Sequence, residues 1–253
     1  MKKILIIGCS NGVGIHHAFR DVFQKTQSSA TISRPDEDKN KFPDEILEDN
    51  YCRYTNFSMP GAGNTYIRHR LFEYLKKNKP DYVYLQFSGL VRRDICLSLD
   101  SIDIFLEEFK NNSYKITDEN IYLICGNFVH SSNSNVYRNF SSLMYNINDI
   151  NDNNDLSLQD IFCCLAILEK YKIKHNWTFY YNPTNPPTKE SKKEGTINRI
   201  PDFINTENIL PNPLNFAINN GYTVNDGVHY GYEPFLHLLQ EQKDKIHLNL
   251  DHK

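Results

Sequence analysis

Ser10 sits in the run Ile7-Gly8-Cys9-Ser10-Asn11-Gly12-Val13-Gly14, and near the other end of the chain stands Asp226-Gly227-Val228-His229. A serine hydroxyl is a weak nucleophile that needs a base, and the base needs a group to orient it. A carboxylate and an imidazole three residues apart on a tight turn project to the same side. Asp226 can then fix the His229 tautomer while His229 accepts the Ser10 proton. A lone Ser in a turn is ordinarily a helix N-cap, and an isolated Asp-x-x-His is ordinarily a surface turn. Both blocks at opposite ends of an alternating α/β chain reverse that reading and point to acyl transfer.

Such a constellation needs a sheet to hold it. Candidate strands are Lys3–Gly8, Tyr51–Phe57, Tyr82–Ser88, Ile121–Cys125 and Trp177–Tyr181, read as nearly continuous apolar runs of the buried parallel kind. Helical patterns alternate with them at about Ile15–Gln24, Thr65–Lys77, Ser101–Lys110 and Leu156–Tyr171, with a final helix from about Gly231 through Lys243. In the fourth, Leu158, Ile161, Phe162, Leu165 and Leu168 recur at spacings of three and four and predict one apolar stripe. Right-handed crossovers then give an α/β fold, a three-layer α/β/α flavodoxin-like sandwich with a mostly parallel sheet of about five strands. Ser131–Asp155 and Asn182–Asn220, rich in Asn with Ser, Asp or Pro, read as long loops. With no repeat and no linker, residues 1–253 read as a single domain. Ser10 then falls at the carboxyl end of the first strand, where its own N–H and the helix terminus face a developing oxyanion.

On these blocks the chain resembles the SGNH/GDSL hydrolase superfamily of esterases and lipases, from Ile4 to about Leu239. Gly8-Cys9-Ser10-Asn11 resembles that family's Gly-Asp-Ser, with Cys9 in place of Asp, and Asp226-Gly227-Val228-His229 resembles its Asp-x-x-His before the last helix. Pro60-Gly61-Ala62-Gly63-Asn64-Thr65 is similar to its oxyanion glycine block, with Gly63 as the preferred match and Gly61 as the alternative. The plain reading of that block is a helix start capped by Asn64. The third block departs: the family carries Gly-x-Asn-Asp, whereas this chain has Gln86-Phe87-Ser88-Gly89-Leu90-Val91-Arg92-Arg93-Asp94. Ser88 or Asn64 is left to supply the missing side-chain donor, whose loss costs about 10²–10³ in rate. The resemblance implies a serine esterase with a Ser10–His229–Asp226 triad, without cofactor or metal. It would act on a small acyl ester, an O-acetyl group on a glycan being one such substrate.

Other readings compete for the same residues. Gly8, Gly12 and Gly14 have the GxxxGxG spacing of short-chain dehydrogenases, yet no Tyr-x-x-x-Lys is present; the nearest segment, Tyr66-Ile67-Arg68-His69-Arg70, ends in Arg. A binding or accessory protein that keeps the fold would also explain the missing Asn. Arg92 could hold an anionic substrate group bidentately, against the simpler reading of Arg92 and Arg93 as a solvated pair or a salt bridge to Asp94. His16-His17, adjacent on a helix, make a poor metal pair and read as helix-surface or partly buried residues. Trp177 reads as core rather than as a sugar platform. Tyr180, Tyr181, Tyr222, Tyr230 and Tyr232 cluster near the expected site and could stack on a sugar ring.

Composition narrows the classes. The 253 residues carry 28 Lys+Arg against 31 Asp+Glu, a net charge of −3 with no basic run, which argues against a nucleic-acid binder. No apolar stretch approaches the roughly 20 residues a bilayer requires. Met1-Lys2-Lys3 followed by four aliphatics is too short for a secretory signal and reads as a first strand, so the expected location is cytoplasmic. The six cysteines (9, 52, 96, 125, 163, 164) show no metal-ligand spacing and are expected as reduced thiols.

Overall fold

The computed structural model describes residues 1–9, 15–23, 31–33, 45–48, 51–59, 62–89, 94–98, 113–116, 121–124, 150–179, 206–223 and 232–246. These residues form a mixed α/β structure around a six-stranded, mostly parallel sheet. Its strands are β1 (Lys2–Gly8), β2 (Thr31–Ser33), β3 (Glu45–Glu48), β4 (Cys52–Asn56), β5 (Tyr82–Phe87) and β9 (Lys174–Phe179), in the order β2-β3-β4-β1-β5-β9. The four central and trailing strands β4, β1, β5 and β9 pair in parallel, and β3 and β2 add antiparallel at one edge. A second, three-stranded antiparallel sheet holds β6 (Ile95–Ser98), β8 (Ile121–Ile124) and β7 (Ser113–Ile116) in that order. The Ile121 segment is therefore a strand as expected, but it pairs outside the main sheet.

Burial explains why β1 and β5 are nearly continuous apolar runs. Ile4 and Ile6 face a cluster with α1 (Ile15–Phe23), α4 (Pro213–Asn219) and α5 (Tyr232–Glu241). Leu5 and Ile7 face a cluster with α2 (Asn64–Lys77) and α3 (Ile150–Lys170). On α1 the buried Ile15, Ala18, Phe19, Val22 and Phe23 recur at the helical period and dock on the sheet. The two faces differ in chemistry. Toward α2 and α3 the strands present Val83, Leu85, Phe87, Trp177 and Phe179. Toward α1 and α5 they present Tyr54, Tyr82 and Tyr84, and strand alternation adds Asn56, Gln86, Asn176 and Thr178, all buried. Tyr82 Oη donates to Asn176 Oδ1 at 2.8 Å across this face. Trp177, with Leu85 and Phe87 on the apolar face, is core.

Three expectations need correction. Helix α3 begins at Ile150, inside the segment expected as a loop to Asp155, and Phe162 is 42% exposed rather than part of the stripe, in which Ile161, Cys164, Leu165 and Leu168 are buried and Leu158 is partly buried against them. The stretch 206–220 is also organised. Trp177 N–H donates to Asn208 O at 3.1 Å and Leu210 N–H to Trp177 O at 2.9 Å, so this segment covers the open edge of β9. Helix α4 then starts with Asn212, whose side chain accepts from Asn215 N–H, and Pro213 occupies the first turn, where its missing N–H costs nothing. It ends at Gly221 with φ 73°, the left-handed turn that lets Tyr222 N–H reach Ala217 O at 2.9 Å. The expected helix Ser101–Lys110 lies outside the described residues.

Candidate active site

The chain leaves β1 toward β4 on one side and returns to β5 on the other, so the strand order reverses at β1. In open sheets the crevice beside the carboxyl ends of such strands is where ligands bind. Here those ends are Gly8-Cys9 of β1, Asn56 of β4 and Phe87-Ser88 following β5. The strands approach closely at this point: Gly8 is in register with Gln86, and a Cβ at Gly8 would lie 2.9 Å from Gln86 Cβ. Glycine is required there by the neighbouring strand. The sheet extends past β4, with Phe57 N–H donating to Ile6 O at 2.8 Å and Met59 N–H to Gly8 O at 3.0 Å.

Ser10 follows Cys9 at this edge and lies outside the described residues, as do Asp226, His229, Gly61, Arg92 and Arg93. Gly63, Asn64 and Ser88 are described, and the structure brings them together. Gly63 is the N-cap of α2, but its N–H donates to Asp94 Oδ1 at 2.7 Å, while Tyr66 N–H donates to Asp94 Oδ2 at 2.7 Å. A buried carboxylate thus caps the positive end of α2 from 31 residues away. Asn64 does not cap α2, as the plain reading of that block had it. Its Oδ1 accepts from Ser88 N–H at 2.8 Å, and its Nδ2 donates to Ser157 Oγ at 2.6 Å and to Ser88 O at 3.4 Å. The Asn64 carboxamide therefore ties the end of β5 to α3. One turn beyond Ser157 on α3, Asp160 meets both Thr65 Oγ1 and Arg68 of α2, at 2.7 and 3.1 Å. Their spacing of three puts both on one helix face.

His16 departs from its sequence reading. It is 1% exposed, on the first turn of α1, and its Nδ1 lies 3.1 Å from Asn56 Nδ2. Ser58 N–H donates to Asn56 Oδ1, which leaves the amide NH₂ facing the ring. His16 Nδ1 is then the acceptor, and the neutral ring carries its proton on Nε2. Burial, reinforced by the neighbouring His17 and Arg20, lowers its pKa to about 3. Sequence spacing concealed this pair, since Asn56 comes from another element.

Of the tyrosines expected near the site, Tyr222 is half-buried and Tyr232 is exposed; Tyr232 Oη donates to Asp21 Oδ2 on α1. Tyr180, Tyr181 and Tyr230 lie outside the described residues. Among the described residues Cys9, Cys52, Cys163 and Cys164 form no disulfide, and no group of three or more His, Cys, Asp or Glu could hold a metal ion. No described helix is long and apolar enough to cross a membrane. No protein-family model matches the chain, and no curated protein matches it.

Proposed function

We propose that this chain is a serine acyl hydrolase of the SGNH type, built on a flavodoxin-like three-layer sandwich and acting on a small acyl ester such as an O-acetyl group on a glycan. The observation that carries the reading is the packing of α5 on α1, with Phe235 6.2 Å from Phe19. Ser10 shortly precedes α1, and Asp226 and His229 shortly precede α5. His229 is three residues from Tyr232, a span of at most about 11 Å. The two blocks of the triad are thus tethered to neighbouring helices on one face of the sheet. The parallel order β4-β1-β5-β9, with helices on both faces, supports the flavodoxin-like arrangement.

In this reading Ser10 Oγ bonds to the acyl carbon as His229, oriented by Asp226, removes its proton. The oxyanion is held by Ser10 N–H and a second donor. Collapse breaks the ester C–O bond, and His229 returns the proton to the leaving alcohol. Water repeats the sequence on the acyl-enzyme, releasing the carboxylic acid and Ser10. Ser10→Ala is expected to abolish p-nitrophenyl acetate hydrolysis with the fold intact, and a fluorophosphonate probe is expected to label Ser10. The Gly63 N–H, already bonded to Asp94, favours one rival: a binding protein that keeps the fold. Unlabelled Ser10 in folded protein, with no hydrolysis above the uncatalysed background, would favour that rival.

A further inference from the structure

The hydroxyl of Ser88 is buried, at 0% exposure for the residue, and has no hydrogen-bond partner among the described residues. A polar group in that state weakens the fold, because its bonds to water are lost and nothing replaces them. The backbone of the same residue is held on both sides, its N–H and its carbonyl each bonded to the Asn64 carboxamide. Asn64 thus fixes Ser88 rigidly and leaves the side chain unused. Ser88 directly follows β5, two residues beyond the Gln86–Gly8 pair, at the sheet edge where the strand order reverses. The next residue, Gly89, is half-buried. The other two described candidates for holding a ligand oxygen are engaged, Gly63 N–H by Asp94 and the Asn64 amide by Ser157.

We infer that Ser88 Oγ–H is the hydrogen-bond donor that binds the carbonyl oxygen of the ligand in this crevice, acting as the second oxyanion donor beside Ser10 N–H. Its part in hydrolysis rests on the acyl-hydrolase reading; its role in holding a ligand oxygen does not. The test uses the full chain and the variants Ser88→Ala and Ser88→Thr, each assayed for p-nitrophenyl acetate turnover and for melting temperature. Removing one oxyanion donor lowers kcat about 100-fold, and KM is expected to change less than twofold. Because the hydroxyl has no partner among the described residues, Ser88→Ala is expected to melt at or above the wild-type temperature. Ser88→Thr, which keeps the hydroxyl, is expected to recover most of the lost rate. An unchanged kcat in Ser88→Ala, or a melting temperature below wild type, overturns the assignment. If wild type turns over no faster than Ser10→Ala, the hydrolase reading falls, and Ser88 is judged by titration with sodium acetate followed by amide chemical shifts. A dissociation constant weakened at least tenfold by Ser88→Ala then supports the donor. Equal affinity, or no acetate binding to wild type, overturns it.

Discussion

Lowering the pH from 7 to 5 protonates His16 in the unfolded chain while leaving it neutral in the folded one. The unfolded imidazole titrates near 6.5, whereas burial, with His17 and Arg20 adding to it, lowers the folded value to about 3. Between these values the unfolded state binds the extra proton, so stability falls as the pH falls. At pH 7 both states are mostly neutral and the effect is small. At pH 5 the unfolded ring is almost fully charged and the folded ring is not, which removes about 2 kcal/mol relative to pH 7; the loss continues down to about pH 3. Urea unfolding of wild type and His16→Gln at pH 7 and pH 5 isolates this contribution, since glutamine offers Asn56 an acceptor but does not titrate. The expected result is a pH-dependent loss about 2 kcal/mol larger in wild type than in the variant. Equal losses in the two proteins would show that His16 takes up a proton as readily folded as unfolded, and would refute the burial argument.

Two further outcomes follow from the crevice edge. Asp94→Asn replaces the carboxylate that accepts from Gly63 and Tyr66 with an amide that has one acceptor, and is expected to cost about 1.5–3 kcal/mol in denaturant unfolding; a loss below about 0.5 kcal/mol, the size of an ordinary surface change, would exclude the cap. Gly8→Ala places a Cβ against Gln86 Cβ and is expected to cost about 1–3 kcal/mol through strand displacement, read as a lower urea midpoint.

The strands β1 and β5 were legible because burial on both faces demands apolar runs, and the bounds of β1, β4 and β5 agree with the sequence to within a residue or two. The first half of β9 escaped notice because Lys174-His175-Asn176 reads as polar, yet His175 and Asn176 are buried and Asn176 is paired with Tyr82. The Ile121 strand shows a further limit: apolar runs announce a strand but not its partner. On α3 a step of about 100° per residue puts Phe162 at the margin of the stripe centred on Ile161 and Leu168, where neighbouring elements decide its exposure. At the site, the glycine block before α2 was readable as a helix start; Asn64 and Ser88, singled out as alternative donors, are bonded to each other, a pairing the sequence does not announce. The link that Asp94 makes to Gly63 was not readable, since a cap supplied from so far along the chain leaves no local spacing.

The unlike faces of the sheet bear on how its strands find their alignment. A slip of one residue in β5 would turn Tyr82, Tyr84 and Gln86 toward the aliphatic side chains of α2 and α3, and would turn Val83, Leu85 and Phe87 toward Asn56 and Asn176. Had both faces been uniformly aliphatic, the shifted sheet would have been nearly as comfortable as the native one. The buried tyrosines and amides therefore act as an alignment key. They penalise the misthreaded sheet more than the correct one, and so hold the ends of β1 and β5 level where the crevice opens.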